Sequence, residues 1–148
     1  MRYLTFVDES ELKATTAVLI KTSYFNKEEL ISHYINPLEE LGISKDSIIA
    51  FDLLYENNKI TASKAKKYLE GLLRALTKLG VSNILVCDAT YFKVLTGLNK
   101  ADSHIGYINP CKIRGFEHFN VCYALNYAVF LRNPNQVSRL DLALKTLA

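Results

Sequence analysis

The sequence lacks paired cysteines: Cys87, Cys111 and Cys122 are odd in number, far apart and without the CxxC spacing of a zinc or redox site. That argues against a disulfide framework and reads as three reduced, mostly buried thiols, with Cys111 the most exposed. No apolar run approaches the roughly 20 residues that a membrane span needs. The N-terminal stretch MRYLTFVDESELK carries acids by its eighth residue and shows no basic-then-apolar signal segment. The expectation is a cytoplasmic protein with no membrane partner. Phosphate and catalytic fingerprints are missing too, since GxxxxGK[ST], GxGxxG, HExxH and GxSxG are all absent. A strong excess of one charge is also lacking. The net charge of +3 is too small to demand a polyanion, yet from Lys100 onward six Lys or Arg stand against only Asp102, Glu117 and Asp141. That asymmetry favours a nucleic-acid face in the C-terminal third.

What the sequence does have is alternation. Its 148 residues, 49% of them apolar, suffice for one domain (1–148) with a sizeable core. RYLTFV (2–7) and TAVLIKT (16–22) read as opening strands. Asn26 with Glu29 has the form of a capping pair, and Leu30, Ile31, Tyr34, Ile35, Leu38 and Leu41 then recur at helical spacing to Gly42, with Pro37 expected to bend or split the helix. SIIAFDLLY (47–55) reads as a central strand buried on both faces, followed by a polar turn at ENNK. Thr61 and Gly80 bracket a helix whose outer face carries Lys64, Lys66, Lys67, Arg74 and Lys78. Such a charge set ordinarily means a solvated face. NILVCDA (83–89) reads as a strand, TYFKVLTG (90–97) as a short helix, 99–119 as a long loop with strand-like pieces at 105–108 and 111–113, FNVCYAL (119–125) as the last strand, and Asn133-Pro134 as the start of a final helix. Strands alternating with helices predict an α/β protein, a three-layer α/β/α sandwich with a mostly parallel central sheet.

In such sheets ligands bind beyond the carboxyl ends of the strands. The residues expected there are Asp8 and Glu9, Tyr55 to Asn58, Asp88 to Tyr91, and Asn126 with Tyr127. His33, His104 and His118 are isolated, although the last two flank the long loop and are able to meet across it.

Two stretches, NILVCDATYFKVLTG and VCYALNYAVFLRNP, resemble consecutive signatures of the uracil-DNA glycosylase superfamily, especially its families 4 and 5. Weaker similarity runs through FVDESE, LEELGISKDSIIAF and ASKAKKYLEGLLRALTKLG. ATYFKVLTG, GYINPC and NPNQVSRLDLALKTL are also similar to the glycosylase-like N-terminal region of some tailed-phage family A DNA polymerases. The resemblance implies a glycosylase-like fold, DNA (single-stranded or primer-template) as partner, and a DNA polymerase or other replication protein nearby. It departs at the catalytic position: Asn126 stands where the family has its histidine, Tyr127 where it has proline, and the family 4 iron-sulfur cysteines are missing. An amide donates a hydrogen bond without an imidazolium's charge. The implied function is therefore a catalytically degenerate DNA-binding or docking module of phage replication, needing no metal and no cofactor. Tyr91 and Tyr127 are expected to stack on bases, with Lys112, Arg114 and Arg132 on phosphates. Two alternatives stand beside it. One is an active glycosylase using Glu9 or Asp8 to activate water and Asn126 as leaving-group donor. The other is a protein-interaction domain that inhibits or recruits a host repair or replication factor.

Overall fold

The computed structural model describes residues 1–148, the side chain of Phe130 excepted. Six strands form one sheet: β1 Tyr3–Thr5, β2 Thr16–Lys21, β3 Ile48–Leu53, β4 Asn83–Val86, β5 Ile108–Pro110 and β6 Asn120–Tyr123, in the order β1-β3-β2-β4-β6-β5. The inner four, β3-β2-β4-β6, are parallel, and the two edge strands run antiparallel to their neighbours. Ala17 to Ile20 and all of β3 are buried. Both alternating sets of side chains are therefore covered, as the near-continuous apolar runs require.

Helices supply that cover: α1 Lys27–Leu30, α2 Asn36–Glu40, α3 Ala62–Leu79, α4 Ala89–Thr96, α5 Tyr127–Arg132 and α6 Val137–Leu147. The crossover from β2 to β3 moves one way along the sheet and those from β3 to β4 and from β4 to β6 the other. With right-handed connections the helices fall on opposite faces. In agreement, α2 packs beside α6, and α3 beside α4.

Local signals explain the element ends. Asn26 Oδ1 accepts from Glu29 N–H at 3.1 Å, and Thr61 Oγ1 from Lys64 N–H at 3.3 Å. Gly80 closes α3 at φ +85°. Pro37 does not break its helix. A π-helical turn at Ile31–Ile35 joins α1 to α2, with the proline in the first turn of α2. Its ring would crowd the carbonyl four residues back in a regular helix, and the wider turn relieves that.

Three elements differ from the sequence reading. β1 is an antiparallel edge strand rather than the first parallel one. Within 99–119 the strand is Ile108–Pro110, ending at the proline instead of being divided by it, as suits an edge. Residues 127–132, which lie between the last expected strand and the expected final helix, form α5.

Candidate nucleic-acid interface

The parallel strands follow the doubly wound order, in which successive crossovers diverge from the first strand. Here the switch point lies between the carboxyl ends of β2 and β4, at Lys21 and Val86. Asp88, two residues past β4, caps α4, its Oδ1 accepting from Tyr91 N–H at 2.9 Å. The Tyr55 hydroxyl, beyond β3, lies 2.9 and 2.7 Å from the two carboxylate oxygens of Asp88 and donates to them. Burial, reinforced by that carboxylate, pushes the Tyr55 phenol well above its ordinary range, so it stays a donor. Lys21 Nζ sits 4.6 Å from the Tyr55 ring centroid, which places a cation on the aromatic face at the mouth of the switch point. Nearby, Asp52 accepts from Arg2 Nε at 3.0 Å and from the Tyr68 hydroxyl at 3.3 Å.

Past Tyr55 the chain makes a tight reversal. Glu56 and Lys59 exchange backbone hydrogen bonds at 2.8 and 2.9 Å, and Asn57 and Asn58 both take positive φ, 50° and 62°. Two consecutive left-handed residues define a type I′ turn, for which asparagine is suited. This hairpin forms one wall of a cleft of about 510 Å³ that reaches Thr61, Lys64 and Thr90. A second depression, of about 490 Å³, continues from Thr90 along the seam between α3 and α4, past Ser63, Lys66 and Lys93. Four lysines, Lys59, Lys64, Lys66 and Lys93, line the two depressions against one acid, Glu56, which Lys64 pairs at 3.0 Å. The first turn of α3 contains no acidic residue and its cap, Thr61, is neutral, so that positive helix end adds to the field, whereas the Asp88 carboxylate at the N-cap of α4 offsets the other.

The residues singled out in the sequence are scattered by the fold. Glu9 lies in a 3₁₀ turn capped by Asp8 and accepts from the Tyr3 hydroxyl at 2.6 Å. Because β1 is antiparallel, that turn sits at the amino-terminal end of the parallel sheet, whereas Asn126 sits at the carboxyl end. Six residues of strand, about 3.3 Å each, separate the two levels. Glu9 and Asn126 therefore do not act on one bound substrate. Asn126 is the N-cap of α5, its Oδ1 accepting from Ala128 N–H at 2.9 Å.

Tyr91 is 0% exposed, with its hydroxyl on the Leu54 carbonyl at 2.6 Å. Tyr127 is 7% exposed, stacked on His33 at 5.2 Å and bonded to the Tyr24 carbonyl at 3.0 Å. Neither ring is presented to a base, contrary to the expectation of stacking. Both belong to the aromatic core because each hydroxyl reaches a backbone acceptor. Lys112 and Arg114 are exposed but follow β5 at the amino-terminal end of β6, where Cys111 N–H meets the Phe119 carbonyl at 3.0 Å. Arg132 is exposed at the end of α5, its Nε on the Ala128 carbonyl at 3.2 Å. Arg132 thus shares no surface with Lys112 and Arg114.

His104 packs on Phe92 and His118 on Phe119, so the two do not meet. Cys111 is buried rather than exposed. Burial raises all three thiols, Cys122 to about 11, which keeps them protonated and unreactive. Among the described residues no three metal-binding side chains converge, and no helix is long and apolar enough to cross a membrane.

What the sequence reading missed is the joining of Lys59, Lys66 and Lys93. ENNK marked the turn and the α3 lysines marked a helix face, but nothing local says that α4 brings Lys93 alongside. Fold and cleft together define an α/β protein with a basic groove at the carboxyl ends of its parallel strands. Compared with known proteins, the chain matches no family model and no curated sequence.

Proposed function

We propose that this chain is a DNA-holding domain whose contact surface is the lysine-lined seam between α3 and α4, built on a uracil-DNA glycosylase-like fold. The carrying observation is the groove itself: two adjoining depressions with four lysines and one paired acid. The resemblance to the glycosylase superfamily supports the reading. Its two quoted stretches fall on strands that feed helices, β4 into α4 and β6 into α5. It also brings the association with a phage-type DNA polymerase.

Binding is led by phosphates, because the tyrosines that were candidates for stacking are sealed in the core. Affinity then falls steeply with salt, and uracil makes no difference. Fluorescence anisotropy over a salt series, on single-stranded and primer-template oligonucleotides with and without one uracil, tests this. Replacing Lys59, Lys66 and Lys93 together by alanine is expected to flatten the salt slope by roughly 2 to 3 in log–log units. An unchanged slope in that variant would move the contact elsewhere, and release of uracil base would reinstate catalysis.

A further inference from the structure

A groove on the opposite flank of α3 is unused by the basic seam. It measures about 500 Å³, lies against the free edge of β1, and is floored by Phe51 and walled by Tyr3, Ala75 and Leu79, with Met1 at its mouth. Tyr3, Met1 and Leu79 are 47%, 62% and 41% exposed, a high share for large apolar side chains clustered in one place.

The backbone beside the groove says what fits it. Asp52 N–H donates to the Arg2 carbonyl at 3.1 Å, and Leu4 lies in register with Ala50. Antiparallel alternation then turns the backbone groups of Arg2 and Leu4 toward β3 and those of Tyr3 and Thr5 outward. An occupant has to bring an extended backbone and apolar side chains on alternate positions. β1 meets both requirements itself. Met1 and Tyr3 share one face, and the outward residues Tyr3 and Thr5 flank Leu4 symmetrically. A two-fold axis at Leu4 pairs Tyr3 of each copy with Thr5 of the other, satisfying both donors and both acceptors on each side. Such an isologous contact closes on itself. Within Tyr3–Thr5 the strand carries no charged residue or proline, whereas the other edge, β5, ends in Pro110; the charges nearest the groove are Glu9, which accepts from the Tyr3 hydroxyl, and Lys78.

We propose that β1 is a dimerisation edge, where a second copy of this chain adds its β1 antiparallel, joins the two sheets into one, and covers Tyr3, Met1 and Leu79. Faces are preserved by this pairing, so both α3–α4 seams lie on the same side of the joined sheet.

Sedimentation equilibrium on the full chain reads the association directly. Wild type is expected to be dimeric at micromolar concentration. Thr5→Pro removes one outward donor per copy while leaving the Arg2 and Leu4 bonds to β3, and is expected to weaken the dimer roughly tenfold or more. Leu79→Glu, on an exposed helix position that leaves β1 untouched, is expected to do the same, with circular dichroism unchanged. Amide exchange at Tyr3 and Thr5 should slow as concentration rises. A monomer up to about 1 mM overturns the proposal. So does a dimer that is indifferent to Leu79→Glu and whose Tyr3 and Thr5 amides exchange equally fast when dilute and when concentrated.

Discussion

Asp88 carries two duties, as N-cap of α4 and as acceptor for Tyr55, whereas Asn126 carries only the first, for α5. The same change at the two sites should therefore cost different amounts. Asp88→Ala is expected to lose about 2–3 kcal/mol, a cap plus a half-buried hydroxyl left without its partner, and Asn126→Ala about 1 kcal/mol. Urea unfolding of the two variants checks the ordering; a costlier Asn126→Ala would mean that its amide holds more than a helix end. Asn126 was legible in the sequence as a special residue. The resemblance marked it as a lost catalytic position, and the fold uses it as a cap, which is what an asparagine before a helix most often does. Tyr91 and Tyr127, expected to stack on bases, lie in the core instead. An aromatic after a strand reads as a rim residue until the fold shows whether its hydroxyl finds a backbone carbonyl, and here both do.

At the level of elements, α3 was the most readable segment, because its cap, its apolar period and its terminal glycine all agree. It carries one local flaw: Gly71, mid-helix, with open space where a Cβ would go. Gly71→Ala is expected to stabilise the protein by about 0.5–1 kcal/mol, since it reduces the unfolded chain's freedom without a clash. Gly80→Ala, at φ +85°, is expected to destabilise it by about 1 kcal/mol. Thermal or urea midpoints of the pair give opposite shifts if the α3 boundaries are right. By contrast α5 was not legible. Its six residues, YAVFLR, are too few to show a helical period, and it is held by tertiary contacts of Tyr127 with Tyr24, Tyr34 and His33. Nor does sequence alone say that Pro37 would be absorbed by a π turn rather than by a break.

At the scale of the whole molecule, the sequence pattern predicted an α/β protein with a mostly parallel sheet, and the inner strands follow it. Direction at the edges did not come through, because a three-residue strand such as β1 pairs in either sense and only the long-range register with β3 decides. That one choice carries Glu9 to the far end of the sheet from Asn126. Another molecule-wide property follows from the buried phenols. Burial is the leading cause raising Tyr34, Tyr55, Tyr68, Tyr91, Tyr123 and Tyr127 above the ordinary value of 10.0. Their folded values exceed the unfolded ones, so above about pH 10 the unfolded chain holds fewer protons and stability falls as pH rises. The stabilisation is fully present below that pH. Urea midpoints are expected to be flat from neutrality to about pH 9 and to drop steeply beyond it; a flat profile through pH 11 would contradict the buried tyrosine layer. The central claim, that the α3–α4 seam holds nucleic-acid phosphates, is tested most directly by titrating the isotope-labelled protein with a single-stranded oligonucleotide and following backbone amide shifts. The account predicts that the largest changes fall on residues 59–66 and 90–93 and fade as salt is added. Changes centred instead on Asn126 to Arg132 or on Lys112 and Arg114, or none at low salt, would contradict it.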